Sequence, residues 1–208
     1  MAIKFYFSPY SSAVRTHWAL EELGIPYEGV RMDLKAGDQK KPEFLKLNPN
    51  GKVPTLVDDG VPYFESAAIN IYLGEKYGVE KGLWPKPGTH AYGRAMSWTV
   101  WAAASLLNAG TRLIYNVSKE IPDDAKNAVQ AEGARKDFEG LLGLLEAELA
   151  DKPFLTGQTF TLADVLIAAD LWWYQMAIVP DLSPWPQLKA WTARCVERPA
   201  FKRISTPG

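Results

Sequence analysis

Two adjacent hydroxyl side chains, Ser11 and Ser12, lie in a turn-rich loop between the first apolar strand and the first helix of the chain. A C-x-x-C pair at such a strand–helix junction would indicate disulfide exchange. The sequence has no cysteine there, and its single cysteine is Cys195. Redox chemistry of a protein thiol is therefore disfavoured. A hydroxyl at a helix N-terminus can instead donate a hydrogen bond to a bound anion such as a thiolate, helped by free N–H groups and the helix dipole.

A second stretch combines a strand edge with the start of a helix. The block Leu47–Leu56 leads through Val53-Pro54 into a strand, because Pro54 lacks an N–H, can take a cis bond and suits the first position of a strand. Ser66 follows Glu65 and is a good N-cap for the periodic apolar run behind it. We therefore expect an edge that can pair with an extended peptide, beside a helix N-terminus that can hold a carboxylate.

The elements that must position these residues can be read from hydrophobic periodicity and turn signals. The first part of the chain has the order β-α-β followed by β-β-α, which is that of a thioredoxin-like domain. The later part is helical in pattern, with candidate helices at Ala91–Tyr115, Asp123–Ala150, Leu162–Val179 and Pro186–Glu197. The sequence thus predicts an α/β thioredoxin-like domain over residues 1–80, a linker over 81–89 and an all-α helical bundle over 90–208.

Composition excludes several other classes of protein. The formal net charge is −1 over 208 residues, so the chain has no basic field for nucleic acid and no polybasic patch for a membrane surface. The most apolar stretch, Leu162–Val179, is interrupted by Asp164, Asp170 and Gln175, which favours a buried soluble helix over a membrane span. One cysteine fits a reducing compartment, and no secretory signal is evident. We expect a soluble, cytoplasmic protein.

These residues together resemble the soluble glutathione S-transferase superfamily. The likeness rests on Val53-Pro54, on Glu65-Ser66 and on the hydroxyl loop, in the family's order and spacing, and it extends over the whole chain. It implies a glutathione transferase that activates glutathione as a thiolate and adds it to a small hydrophobic electrophile, with glutathione as co-substrate and no metal. The pattern is that of the serine-type classes, which include theta, phi, zeta and bacterial beta-like members.

The resemblance assigns a role to each residue of the glutathione site. Val53 and Pro54 would pair with the cysteinyl backbone, and Glu65 and Ser66 would hold the γ-glutamyl amine and carboxylate. Lys52 stands where phi-type relatives carry a glutamine that touches glutathione. The glycyl carboxylate falls to Gln39 and Lys40, of which Lys40 keeps the positive charge of the family's basic pair.

Two registrations place the catalytic hydroxyl differently. In theta- and phi-type transferases the serine lies four residues before an arginine, and counting back from Arg15 gives Ser11. Alignment with the beta class through Ala19-Leu20 gives Ser12 instead. We favour Ser11 and keep Ser12 as the alternative.

The helical part would supply the electrophile pocket and the frame that supports it. Family geometry implies a pocket formed by Trp101, Asn108, Arg112 and Tyr115, with Tyr10 from the first domain. Thr161 and Asp164 have the spacing of a capping box at the start of a helix. Asp170, deeper in the same helix, needs a donor, which could be Arg94 or a backbone cap.

One reading from another class stays open at this stage. The same fold can serve as a non-catalytic ligand-binding or protein-interaction module, because fold alone does not fix function. The family also implies a homodimer, with each site completed by the second subunit near the Glu65–Tyr77 helix. We expect no nucleic-acid and no membrane partner, and no metal site, because the histidines and Cys195 are isolated.

Overall fold

The first half of the molecule is built on a four-stranded mixed sheet. The computed structural model describes residues 3–178 and 182–205. The strands are β1 (Ile3–Phe7), β2 (Tyr27–Arg31), β3 (Thr55–Asp58) and β4 (Val61–Phe64), in the spatial order β2-β1-β3-β4. β2 runs parallel to β1, whereas β3 and β4 continue the sheet in antiparallel fashion. With its helices, this sheet confirms the predicted thioredoxin-like domain.

Three helices complete this half: α1 (Ala13–Leu23), α2 (Pro42–Leu45) and α3 (Ser66–Leu73). α1 ends at Gly24, whose φ of 58° is left-handed and whose N–H donates to Leu20 O at 3.0 Å. The prediction that Ser66 caps α3 is wrong, because Glu65 occupies the cap position with φ 68° and Ser66 is the first helical residue. The Ser66 hydroxyl is thereby released from capping and is available for another contact.

The second half is helical, as predicted. It contains α4 (His90–Trp101), α5 (Leu107–Val117), α6 (Ala128–Glu148), α7 (Leu162–Ala177), α8 (Pro186–Val196) and α9 (Pro199–Ser205). A wider π-type turn over Ala102–Leu106 joins α4 to α5, so the predicted single helix exists with an irregular middle. The end of the predicted helix at Val179 lies outside the described residues. α9 was not anticipated.

The segment predicted as a linker is anchored by two adjacent residues, Leu83 and Trp84. Trp84 is 2% exposed and covers Gly74, where a Cβ would lie 2.6 Å from the indole Cδ2. Leu83 O accepts the N–H of Leu162 at 3.0 Å, which fixes the connection to the start of α7. Residues 1–80, 81–89 and 90–208 remain our proposed division of the chain.

α7 begins with the predicted capping box and occupies the centre of the core. Asp164 Oδ2 accepts from the Thr161 N–H at 2.9 Å and from the Thr161 hydroxyl at 3.0 Å. Asp164 Oδ1 accepts from Leu155 N–H and from Trp191 Nε1–H of α8. This carboxylate is fully buried, and burial raises its pKa. A single side chain therefore ties α7 to the preceding loop and to α8.

Candidate active site

The two hydroxyls of the β1–α1 loop face different neighbours. Ser11 Oγ donates to Ser8 O at 2.7 Å and accepts the Ala13 N–H at 3.2 Å. Ser12 is exposed, and its Oγ donates to Val53 O at 3.2 Å. The loop turns sharply before them, because Tyr10 has a φ of 55°. Ser12 is thus directed to the strand edge, and Ser11 stays within its own loop.

The edge before β3 is held in place by Asn48. The Val53–Pro54 bond is cis. Asn48 is 2% exposed, and its Nδ2 donates to Lys52 O at 2.8 Å and to Thr55 Oγ1 at 3.0 Å. An amide that bridges both sides of the Val53–Pro54 pair fixes the backbone that a peptide would approach. Asn48 lies in the Leu47–Leu56 block, but nothing in the sequence indicates this role.

The turn that carries Gln39 and Lys40 packs against the same loop at Gly51. Gly51 has a φ of 58°, and a Cβ there would lie 2.8 Å from Gln39 O and 3.0 Å from Lys40 Nζ. Only glycine permits this approach. Gln39 Nε2 donates to Leu34 O, while its buried Oε1 has no partner in the described part of the chain. The ammonium of Lys40 and the exposed Lys52 therefore lie on the same loop cluster as Val53.

Glu65 and Ser66 stand at the N-terminus of α3, as the sequence predicts, but with different exposure. Glu65 is exposed, whereas Ser66 is 6% exposed and its Oγ accepts a hydrogen bond from Arg15 Nη1 at 3.1 Å. Arg15 is itself 3% exposed, although it belongs to α1. Arg15, which lies four residues after Ser11, thus contacts Ser66, a proposed binding residue.

The side chain that donates to Asp170 of α7 is Arg15. The predicted donor, Arg94, pairs with Glu148 instead. Arg15 Nε donates to Asp170 Oδ1 at 2.6 Å, and Asp170 Oδ2 has no partner in the described structure. Burial raises the pKa of Asp170 to about 6, an effect that the charge and hydrogen bond of Arg15 oppose. The carboxylate is ionised at neutral pH and neutralises Arg15. A buried ion pair therefore spans the two halves of the molecule behind Ser66.

A cavity of about 520 Å³ opens on the other side of the hydroxyl loop. Ser11 lines it and Ser12 does not. Its walls are mostly aromatic and apolar. The aromatic and basic side chains that line it are those of Tyr10, His17, Arg31, Trp172, Trp173 and Arg203. Burial lowers the pKa of His17, against a smaller opposite effect of Glu21, which favours the neutral imidazole. The volume lies within the range of small-molecule sites.

Of the residues predicted for the electrophile pocket, only Tyr10 lines this cavity. Trp101 packs edge-on against Trp98, and Asn108 Nδ2 donates to Ala104 O. Arg112 pairs with Asp137 at 3.0 Å, and Tyr115 is 53% exposed. These four therefore do not line this cavity with Tyr10, and their role in an electrophile pocket stays a prediction.

The cavity residues that sequence reasoning missed carry a weak signal. Trp172 and Trp173 lie in the most apolar helix, where a tryptophan is typical of a helix-bundle core. Neighbouring residues on a helix point about 100° apart, so two adjacent indoles cannot both face one core direction. Both are half-buried in the structure. Arg31 and Arg203 gave no signal, since nothing in the chain relates positions so far apart.

The structure also bears on two other kinds of site, a metal centre and a membrane span. Within residues 3–178 and 182–205, no group of three or more His, Cys, Asp or Glu side chains could hold a metal ion. In the same ranges, no helix is long and apolar enough to cross a membrane.

Comparison with known proteins gives consistent matches over both halves. The family models named glutathione S-transferase, N-terminal domain, and glutathione S-transferase, C-terminal domain, match residues 1–75 and 102–199. Glutathione S-transferase GstB of Escherichia coli K12 is 34% identical, over 89% of this chain and 88% of its own. The disulfide-bond oxidoreductase YfcG of the same strain is 32% identical, over 95% and 92%.

A solved structure has a similar fold. A glutathione transferase from Burkholderia graminis superimposes with a TM-score of 0.88 at 27% identity, over 99% of this chain and 88% of that one. Its crystal structure holds two glutathione molecules per subunit.

Proposed function

The chain belongs to the glutathione S-transferase family and is a glutathione transferase, and we propose that it activates glutathione through the Ser11 hydroxyl. The tripeptide lies along the Val53 edge, with its γ-glutamyl carboxylate at Ser66 and the N–H groups of α3 and its amine at Glu65. Its glycyl carboxylate faces Lys40, with Lys52 and Gln39 close by. The enzyme reading therefore replaces the non-catalytic module considered above.

One observation supports the choice of donor: both serines lie at the boundary between the Val53 edge and the cavity, but the Ser12 hydroxyl is bonded to Val53 O, whereas Ser11 lines the cavity. A thiol on a peptide at Val53 would project toward that boundary. The Ala13 N–H bonded to Ser11 Oγ polarises the hydroxyl and makes it a stronger donor. To act, Ser11 exchanges its hydrogen bond to Ser8 O for one to the sulfur.

The chemistry needs only a modest electrostatic effect. A free thiol has a pKa of about 8.5, so little thiolate exists at pH 7. Each unit of depression requires about 1.4 kcal/mol of preferential thiolate stabilisation. One charge-assisted hydrogen bond of about 1.5–3 kcal/mol supplies one to two units. The thiol proton passes to solvent, the sulfur bonds to the electrophilic carbon in the cavity, and any leaving group departs with its electron pair.

The test is the ultraviolet difference absorbance of bound glutathione against pH, for the wild type, Ser11→Ala and Ser12→Ala. We expect a thiolate band at neutral pH that Ser11→Ala removes, with turnover lowered about 10- to 100-fold, as one to two pKa units imply. Glutathione affinity should change little. If Ser12→Ala removes the band instead, Ser12 is the donor. A wild type that binds glutathione without any thiolate band contradicts activation altogether.

A second reaction of the same thiolate is favoured by the size of the cavity and by two of the relatives. YfcG is named a disulfide-bond oxidoreductase, and the Burkholderia enzyme binds two glutathione molecules per subunit. The bound thiolate would attack one sulfur of a disulfide and release the other half as a thiol. A second glutathione would then attack the mixed disulfide, giving glutathione disulfide and the second thiol. Glutathione-dependent reduction of 2-hydroxyethyl disulfide, coupled to glutathione reductase, measures this activity.

We also propose a homodimer, on family grounds, with the second subunit beside α3. Light scattering on the purified protein measures its mass directly. A monomeric mass at micromolar concentration contradicts this proposal.

A further inference from the structure

The cavity beside Ser11 contains an unpaired positive charge. Arg31 is the last residue of β2 and is exposed, and its side chain forms no hydrogen bond or ion pair with the part of the chain that the structure describes. None of the described residues that line the cavity is acidic. A guanidinium at the rim of an apolar pocket, without a counter-charge, favours an anionic group on whatever enters.

The other charged groups around the cavity are already matched. Arg203 Nε donates to Glu21 Oε2 at 2.6 Å, and Glu21 Oε1 accepts from the Tyr27 hydroxyl at 2.8 Å. His17 is hydrogen-bonded to the Tyr27 hydroxyl at 2.8 Å, and the burial that lowers its pKa favours its neutral form. Among the residues that the structure describes, the net charge facing the cavity is therefore that of Arg31.

Arg31 also borders a shallower depression on its other side, where acidic residues occur. Asp38 there is paired with Lys41 at 2.7 Å, and Glu43 forms no ion pair with Arg31. The guanidinium is thus not consumed from that direction either.

The walls indicate what accompanies the anionic group. Trp172 and Trp173 are half-buried at the cavity, and Tyr10 is 78% exposed beside it. Indole and phenol faces bind flat π systems well. We propose that the preferred co-substrate is an aromatic electrophile bearing a carboxylate, and that Arg31 selects it by pairing with that carboxylate. This inference rests on the proposed function of the same site.

The test compares two electrophiles that differ in charge and little in shape, 4-chloro-3,5-dinitrobenzoate and 4-chloro-3,5-dinitrobenzamide. In both, the glutathione sulfur bonds to the ring carbon that carries chlorine, and chloride leaves with the bonding pair. Each kcat/KM is divided by the uncatalysed rate constant with glutathione, which removes the difference in intrinsic reactivity. We expect the wild type to prefer the acid, and Arg31→Gln to lower the acid-to-amide ratio about fivefold, a value limited by solvent screening of an exposed charge.

Two variants make the result specific. Arg31→Lys keeps the charge without the guanidinium fork and should retain part of the preference. Arg135→Gln removes the same charge from an exposed position of α6, away from the cavity, and should leave the ratio as in the wild type. The preference should also shrink when ionic strength rises from about 0.01 M to about 1 M, because the Debye length falls from ~30 Å to ~3 Å.

The outcomes separate this inference from the proposed function. If the wild type conjugates neither compound although bound glutathione shows the thiolate band, the proposed function stands and the aromatic assignment is wrong; if the band is also absent, the proposed function fails. If it conjugates both with a ratio that Arg31→Gln does not change, the proposed function stands and the selection by Arg31 is wrong. If excess glutathione competes with the benzoate but not with the benzamide, Arg31 holds a carboxylate of a second glutathione, which overturns the aromatic assignment.

Discussion

At the scale of single residues, the proposed chemistry assigns every thiol step to the substrate and none to the protein. Cys195 is fully buried in α8. Burial, with the nearby negative charge of Asp164, raises the pKa of its thiol well above the usual value. A thiol that stays protonated and inaccessible takes part in neither conjugation nor disulfide exchange.

We therefore expect Cys195→Ala to keep both activities. The substitution removes a buried sulfur and should lower the free energy of unfolding by about 1 kcal/mol, as small cavity-forming changes do. Conjugation and disulfide reduction, measured at matched fractions of folded protein, check this. Loss of disulfide reduction alone would show that the protein's own thiol takes part.

Some residues of the candidate active site could be predicted from the sequence, and others could not. Val53, Glu65, Ser66 and the serine pair occur in short motifs, whose spacing identifies them without a structure. The walls of the cavity come from β2, α7 and α9, so their convergence depends on the tertiary fold. Arg31 looks like any exposed charge until the sheet places it beside Phe7, its partner across the β1–β2 ladder.

At the scale of elements, the β3–β4 hairpin is fastened to the end of α3 by one carboxylate. Asp58 is buried, and its Oδ2 accepts from the Tyr72 hydroxyl, Lys76 Nζ and the Tyr77 hydroxyl, each at 2.7 Å. Burial alone would raise the pKa of Asp58, but these three hydrogen bonds outweigh it and hold the pKa below its usual value.

The stability that Asp58 contributes should accordingly be lost in acid. Its folded pKa lies below the unfolded value of about 3.9, so the stabilisation is complete above that pH and disappears as the pH falls through the folded pKa. Asp58→Asn should cost about 2 kcal/mol at pH 7, since it weakens three hydrogen bonds to a charged acceptor. Urea unfolding from pH 7 downward should show the wild type approaching the variant below about pH 4.

The neighbouring residue provides a matched control. Asp59 is exposed, and its carboxylate lies 3.9 Å from the same Lys76. Asp59→Asn should change stability by less than about 0.5 kcal/mol, as exposed ion pairs do. A larger effect from Asp59 than from Asp58 would contradict the assignment.

Helices and strands could be predicted where the hydrophobic periodicity was strong. The position of a helix cap could not be predicted where one residue pattern fits two local structures. A serine before an apolar run is typical of a cap, yet the cap position of α3 is occupied by Glu65, which has a positive φ of 68°. α9 is only seven residues long and half polar, so its pattern was too short to detect. Its docking on α1, where Phe201 contacts Trp18 at 4.4 Å between ring centroids, depends on tertiary packing.

At the scale of the whole molecule, the Arg15–Asp170 pair connects the two halves beside Ser66, a residue of the proposed glutathione site. Removing one partner leaves an uncompensated buried charge, which typically costs about 3–5 kcal/mol. Removing both can be nearly neutral when the volume is filled by apolar groups. The hydrogen bond from Arg15 to Ser66 is lost in either case.

We expect Arg15→Met and Asp170→Leu to be strongly destabilising alone, and the double variant to recover most of the stability. Its affinity for S-methylglutathione should remain weakened, because the hydroxyl of Ser66 has lost its donor. Urea unfolding and calorimetric titration measure the two quantities separately. If the double variant regains wild-type affinity, Arg15 acts on the fold only and does not position Ser66.

The adjacent indoles of Trp172 and Trp173 have an optical consequence. Nitroaromatic compounds quench indole emission at short range, and both rings flank the cavity that holds the proposed electrophile. Binding and product release at this site would therefore change the intrinsic fluorescence of the protein. Comparison with a Trp172→Phe, Trp173→Phe variant isolates their share from that of the other six tryptophans, so that occupancy can be followed in real time without any attached label.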